Sequence, residues 1–361
     1  MPDFTAISSQ VKLLALEHGF DLAGIAGVAP HPELNAFAPW IEASRHGEMQ
    51  YLATRNAHGS LKRQSLHNAA PWARSVIVCA VNYNAEAPYS THAGTTREGW
   101  IARYAWSEID YHDVVLARLR NLEARVADLA EHSNDAFRSW CYVDTGPIVE
   151  RVFAKYAGIG WIGKNTCILN QKLGSWLFLG VILTNLALEP SLPAEDRCGS
   201  CTRCLDACPT NAFIGPHQLD ATRCISYLTI EKRGAIPEDL REPMGRHVFG
   251  CDICQDVCPW NRKAPVGKLA ELAPKPERIN PALDWLAALD ADQFREVFRR
   301  SPVKRTKLIG LKRNVAIAIG NSGDESLLPS AERLEQDEDP GVASHGRWAA
   351  QRLRAGKKDR A

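Results

Sequence analysis

No part of the chain approaches the roughly 18 uninterrupted apolar residues that a bilayer span needs. A membrane-crossing helix is therefore not expected. The opening residues, MPDFTAISSQVKLLALEHGF, have no basic leader and no long apolar run, so no signal peptide is read there. Net charge is almost absent, at +1, and by itself argues for no polyanionic partner. Nucleotide loops are missing too. GIGWIGKN (Gly158–Asn165) spells G-x-G-x-x-G at Gly158, Gly160 and Gly163, but it follows a predicted helix rather than a strand. Lys164 is followed by neither Ser nor Thr, which excludes a P-loop. A tight turn before a strand and a loop that approaches a cofactor both stay open for this segment. Finally, the cysteines are not scattered. Eight of the eleven fall between residues 198 and 258, which points away from a secreted disulfide framework and toward a reducing, cytoplasmic compartment.

What is present organises around that cysteine region. RCGSCTRCLDACPT places Cys198, Cys201, Cys204 and Cys208 in the spacing C-x2-C-x2-C-x3-C, closed by Pro209. This is the bacterial ferredoxin pattern, in which three cysteines hold one [4Fe–4S] cluster and the fourth ligates the other. GCDICQDVCPW repeats the tail as Cys251, Cys254, Cys258 and Pro259, and the isolated Cys224 supplies the missing ligand. Crossed ligation predicts Cys198, Cys201, Cys204 and Cys258 on one cluster. Cys251, Cys254, Cys224 and Cys208 fall on the other. Zinc and disulfides are the competing readings. Zinc prefers paired C-x2-C knuckles, and this doubled pattern would leave ligands over. Cys79, Cys141 and Cys167 remain, and read as small buried apolar residues.

A chain of 361 residues with 45% hydrophobic content has room for two or three domains with real cores. Ile7, Val11, Leu14 and His18 recur at helical spacing, and Gly19 is a C-terminal stop. FDLAGIAGV reads as a short strand and Pro39–Arg55 as a helix. Ser75–Tyr83, Phe137–Asp144 and Ser175–Thr184 read as buried strands. Val115, Leu119, Leu122, Val126 and Leu129 form one apolar stripe on a helix over Tyr111–His132. Another helix is expected from Pro147, in a favourable first-turn position, to about Ala157. Strands alternating with helices predict an α/β layer domain over residues 1–187. PSLPAEDR is a hinge into a ferredoxin-like two-cluster domain over residues 188–268. Residues 269–361 read as helices with the pair rhythm of a short HEAT-like array. One and a half repeats cannot stand alone, so this part should pack on the body. The last residues, KKDRA, should fray. The whole is a multi-domain α+β or α/β chain. A monomer is expected, because no exposed heptad seam is left unassigned.

Charge is uneven. Between Arg295 and Arg313, eight basic residues face only Glu296, a local balance of +7. Such a concentration is either an electrostatic footprint for a phosphate backbone or a solvated helical face paired with acids elsewhere. Asp144 ends a predicted strand just before a helix. A carboxylate there caps the helix or works as an acid. In the second case burial must raise its pKa.

YVDTGPIVERVFAKYAGIGWIGKN, followed by CGSCTRCLDACPT, RCISYLT, GCDICQDVCPWN and GLKRNVAIAIGN, resembles the epoxyqueuosine reductase family from about residue 5 to 355. That family is related to reductive dehalogenases. It reduces the epoxide of epoxyqueuosine at the wobble position of certain tRNAs, using cobalamin and two [4Fe–4S] clusters. The resemblance implies that the N-terminal α/β domain binds cobalamin and that Asp144 is the proton donor. It implies a cobalamin pocket at Arg63, Ala102, Asp144, Ile168 and Leu179, completed near Ser226 and Asp252, with an intact Gly163-Lys164-Asn165 loop. Some relatives carry a cysteine where this chain has Ala102. No D-x-H-x-x-G signature is present, since Asp110-Tyr111-His112 is followed by DVV. The basic segment would then hold tRNA phosphates through Lys304, Arg305, Lys307, Lys312 and Arg313, with Lys232 as a further contact. An external low-potential electron donor is implied as well.

Overall fold

The computed structural model describes residues 4–92, 94–130 and 136–358. Its main sheet has four strands in the order Leu22–Ala26, Ser75–Asn82, Leu177–Thr184, Ser139–Tyr142. Every pairing in it is antiparallel. The layers foreseen from the alternation are present, but the sheet is not the parallel one that a βαβ rhythm suggests. The two central strands are buried on both faces almost throughout, so they read as continuous apolar runs, and such runs carry no information about direction.

Pleating sorts the central strand. Ile77, Cys79 and Val81 face the helices Phe4–Glu17 and Tyr111–Ala130, meeting Val11, Val115, Leu119 and Leu122. Val76, Val78 and Ala80 face the helix Glu150–Tyr156, meeting Phe153 and Ala154. His132, the expected end of the long helix, lies outside the described residues. Ser139–Tyr142 is an edge strand rather than a buried one, and Trp140 is 48% exposed.

Two helix expectations fail for identifiable reasons. Pro39–Arg55 is not one helix but short pieces, Phe37–Glu42 and the 3-10 turn Gln50–Ala53. Ser44 and Gly47 between them take left-handed φ values of 55° and 57°. At Gly47 the Tyr227 ring occupies the space of a side chain, and Tyr227 OH accepts from Glu48 N–H at 2.9 Å. The helix expected from Pro147 begins at Glu150. Gly146 lies flat on the Tyr142 ring, where a Cβ would stand 1.7 Å from a ring carbon, so the chain doubles back before it can coil.

The cluster region is tied to the N-terminal part by a parallel pairing of His247–Phe249 with Trp100–Ile101. The C-terminal helices are Leu283–Ala288, Ala291–Phe298, Lys307–Ser322, Leu328–Glu335 and Pro340–Lys358. Asp290 and Gln293 form a capping box on the second. These helices share one core with Ile101, Trp106, Val248 and Phe249. The tail expected to fray, Lys357–Ala361, lies outside the described side chains. Among the described residues no helix is long and apolar enough to cross a membrane.

Candidate functional site

Two sets of cysteines gather around two hollows. Cys198, Cys201, Cys204 and Cys258 line a small one together with Leu169, Pro259 and Trp260. Trp161 Nε1 donates to Cys198 Sγ at 3.4 Å, and the Trp161 and Trp260 rings meet edge to face at 5.1 Å. Cys208, Cys224, Cys251 and Cys254 line one side of a larger cavity. Burial and the neighbouring thiols push Cys204 and Cys258 up to about 11, and Cys251 well above the ordinary cysteine range. Thiols crowded in this way ionise only if a cation takes up their charge, which iron does. Among the described residues no three His, Cys, Asp or Glu converge on a single ion. A four-iron cube does not ask for that, because its four thiolates stand around a larger body.

The Gly163–Cys167 loop brackets the two sets. Lys164 Nζ donates to Gly199 O at 2.7 Å and to Cys201 O at 2.9 Å. Asn165 Nδ2 donates to Cys254 O at 3.2 Å. Of the Gly163-Lys164-Asn165 motif, only Asn165 therefore faces the larger cavity; Lys164 is turned to the first cysteine loop.

The larger cavity measures about 400 Å³, within the usual range for small-molecule sites. Tyr83, Tyr104, Tyr111 and Phe178 form an aromatic wall; Tyr111 and Phe178 stack at 4.1 Å, Tyr83 and Phe178 at 4.2 Å. Asp144, Leu179, Ser226 and Asp252 also line it. Four other residues assigned by resemblance stand outside this wall. Arg63 lies behind the Asp144 loop, donating to Tyr51 O at 2.7 Å and to Gly146 O at 2.8 Å. Ala102 is buried against Gly250 and donates its N–H to Phe249 O at 2.7 Å. Ile168 is packed in the core beside Phe153. Gly163 is filled over by Leu169, whose Cδ1 would lie 2.3 Å from a Cβ there.

Asp144 does not cap a helix. It takes a left-handed φ of 54° and is 61% exposed, so the burial that an acid at this position was expected to need is not there. Its Oδ2 accepts from Tyr111 OH at 3.3 Å and lies 3.9 Å from His112 Nε2. The other ring nitrogen of His112 is 2.7 Å from Asp110 Oδ1, and Lys304 Nζ is 3.3 Å from Asp110 Oδ2. Burial alone would raise the Asp110 carboxyl; the His112 contacts and Lys304 hold it below its ordinary value. Glu150, on the same cavity, goes the other way. Burial, aided by the Asp144 charge, raises it to about 7, and its Oε1 has no hydrogen-bond partner. Asp110, Tyr111, His112 and Glu150 were not singled out from the sequence. The D-Y-H triplet at the start of a strong amphipathic helix was the available signal.

Residues 197–261 match the family model described as a 4Fe-4S double cluster binding domain. Residues 63–145 match the model described as epoxyqueuosine reductase QueG. Along the whole length, the chain is 38% identical over 353 residues to the epoxyqueuosine reductase of Xanthomonas campestris, covering 96% of both chains. It is 37% identical over 352 residues to that of Escherichia coli, covering 96% of this chain and 89% of the relative. The chain belongs to the epoxyqueuosine reductase family. Solved structures agree. An epoxyqueuosine reductase crystallised with an epoxyqueuosine-modified tRNA-Tyr stem loop superposes with TM-score 0.84 at 31% identity, over 96% of this chain and 90% of that one. The Streptococcus thermophilus epoxyqueuosine reductase superposes with TM-score 0.84 at 28% identity, over 97% and 90%. As a member of the epoxyqueuosine reductase family, the chain is an oxidoreductase with a double-cluster domain.

In this epoxyqueuosine reductase fold the six candidate RNA-binding cations divide. Lys304, Arg305 and Lys307 are exposed around the 3-10 turn Pro302–Thr306. Arg305 pairs with Glu231 at 2.7 Å and lies 5.5 Å from the Tyr51 ring. Lys232 pairs with Glu48 at 2.5 Å. Lys312 is half-buried on Asp337 at 2.8 Å. Arg313 is only 2% exposed, and its guanidinium donates to the carbonyls of Leu228, Lys232 and Gly234. Lys312 and Arg313 are thus internal ties, and their charges are spent inside the fold. A count of charges along a helix cannot separate cations that face out from those that face in.

Proposed function

We propose that this chain reduces epoxyqueuosine to queuosine in tRNA, drawing electrons through two [4Fe–4S] clusters into a corrinoid-binding cavity. One observation carries the reading: a single cavity has cysteines of the second set along one side and a carboxylate, Asp144, at its rim. Cys198, Cys201, Cys204 and Cys258 hold the outer cluster; Cys208, Cys224, Cys251 and Cys254 hold the inner one. The outer loop is the more exposed, with Gly199, Ser200, Thr202 and Arg203 at the surface, so an external donor delivers electrons there.

The cavity offers aromatic and aliphatic surface to the flat face of a corrin ring. Aromatic rings form one wall, Leu177 and Leu179 adjoin it, and Ile225, Ser226 and Ile230 face it from the cluster side. When bound, cobalamin supplies low-potential chemistry at the epoxide carbon that no side chain can. Epoxide to alkene takes two electrons and two protons and releases the oxygen as water. The chain's own residues handle the protons. Tyr111 and His112 orient Asp144, and Asp110 fixes the His112 ring; the corrinoid and the modified base would cover Asp144 on binding and supply the burial it lacks in the free protein, so that its carboxyl hands a proton to the departing oxygen. Lys304, paired with Asp110, and Arg305, within electrostatic reach of Asp144, stand close to that carboxylate, and with Lys307, exposed at the end of the same turn, they take RNA phosphates while the modified base is splayed into the cavity. Support for a movable Asp144 loop comes from a Bacillus subtilis epoxyqueuosine reductase described with an aspartate catalytic loop swung out of the active site.

Anaerobically reconstituted protein given an epoxyqueuosine stem loop and a chemical reductant should yield queuosine. Asp144→Asn should keep its irons and its RNA affinity and lose at least about a hundredfold in turnover. Unchanged turnover in that variant removes Asp144 as the acid.

A further inference from the structure

The hairpin that carries the Gly163-Lys164-Asn165 loop pairs Trp161–Ile162 with Ile168–Leu169, antiparallel. Asn170 Nδ2 donates to Ile159 O at 2.7 Å and ties its two ends together. The frame fixes where the Trp161 ring goes. The residue is only 3% exposed, packed with Leu169 and Cys258 and against the Trp260 ring. An indole has one polar group, its N–H, and a buried one finds a partner. Here the partner is Cys198 Sγ, at 3.4 Å. We propose that Trp161 tunes the outer cluster: its indole N–H donates to the Cys198 sulfur and raises the reduction potential of that cluster. This rests on the reading that Cys198 ligates iron.

The direction of the bond is fixed by chemistry. Indole nitrogen donates and never accepts, and it does not titrate in the working range. Sulfur is a weak acceptor as a thiol and a stronger one as a thiolate on iron. Cys198 is steadied separately through its own N–H, which donates to Asp196 Oδ1 at 2.8 Å. Lys164, from the same hairpin, holds the next carbonyls of that loop, those of Gly199 and Cys201. One hairpin therefore grips the backbone of the outer loop with a cation and its first sulfur with an indole.

Reduction adds one electron to the cluster and spreads negative charge onto its thiolates. A donor aimed at one of them favours the reduced state. The effect is stronger because the indole is buried, while Gly199, Ser200 and Thr202 of the same loop are exposed. Trp161 acts through Cys198 and not on the substrate, which makes it a positioning residue. Its consequence is that the solvent-facing cluster takes an electron from the external donor more readily.

The test is an EPR-monitored redox titration of reconstituted wild type, Trp161→Phe and Trp260→Phe. Trp161→Phe keeps an aromatic ring in the contact and removes the N–H. At a fixed ambient potential its outer cluster should be about fivefold more oxidised, which is about 40 mV for a one-electron couple. The inner cluster should not move. Trp260→Phe changes the packing partner alone and should leave both potentials at their wild-type values. An unmoved outer cluster in Trp161→Phe, a common shift of both clusters, or the same shift in Trp260→Phe would each overturn the hydrogen bond. A second measurement does not depend on Trp161→Phe keeping its irons. Reduced Trp260→Phe protein with isotope-labelled indole nitrogen should show nitrogen coupling to the outer cluster by pulsed EPR, and absence of that coupling would overturn the bond as well. Wild type that binds no clusters, or Cys198→Ala that retains the outer cluster unchanged, would overturn the underlying reading instead.

Discussion

Replacing Arg313 separates the two meanings of the basic segment. Its guanidinium donates at 2.8 Å to Lys232 O and to Gly234 O, at 2.7 Å to Leu228 O, and at 2.9 Å to Asn314 Oδ1. Burial draws its pKa down to about 10, so it is still charged at neutral pH. Arg313→Met keeps much of the side-chain volume and strips three carbonyls of a charged donor. Hydrogen bonds to charged groups contribute about 1.5–3 kcal/mol each, and part of that returns because a buried charge no longer has to be desolvated. A net loss of about 3–5 kcal/mol follows, a fall of roughly 5–10 °C in Tm. RNA binding, measured well below that temperature, should keep its salt dependence, because no phosphate contact has been removed. Thermal denaturation and filter binding across a salt series check both halves. An unchanged Tm together with a shallower salt slope would refute the reasoning and return Arg313 to the RNA surface.

Charge reversal at Lys304, Arg305 and Lys307 should do the opposite. Stability should hold, while the slope of log affinity against log salt flattens by about 2, at roughly 0.7 for each lost phosphate on a single strand; an unaltered slope would leave these residues merely solvated. Lys164→Met removes both side-chain bonds to the outer cysteine loop. That variant should lose outer-cluster iron first on exposure to air, read as iron content falling from eight toward four; equal loss from both clusters would contradict the bracket. Stability should also fall on mild acidification. Burial lowers His247 and His345 from 6.5 to about 4, so each stabilises fully above pH 6.5 and progressively less as pH drops toward 4. The loss is about 2 kcal/mol for each by pH 5, and His345→Gln should show a weaker pH dependence of Tm between 7 and 5.

The cysteine pattern was legible because a cube needs several thiolates from one tight loop, and that need leaves a spacing in the sequence. The long helix was legible because Val115, Leu119, Leu122 and Val126 must share one buried stripe. Strand direction was not, since Val76–Val81 look the same whichever way their neighbours run. Nor was the setting of Asp144. Tyr111 and His112 reach it across 33 and 32 positions of chain, and only the fold brings them together. Arg63 and Ala102 show the converse. The resemblance assigned them to the pocket, whereas in this chain they support the loops behind it.

Adjacent side chains, Lys164 and Asn165, grip the loops of the two cysteine sets. The separation between the two iron centres is thereby tied to one step of backbone and not to the play of either loop. Electron tunnelling falls exponentially with distance, so this arrangement keeps the hop rate steady while the rest of the molecule breathes around a bound RNA. It also makes the dipeptide a place where inserting one residue would slow the current without removing any metal.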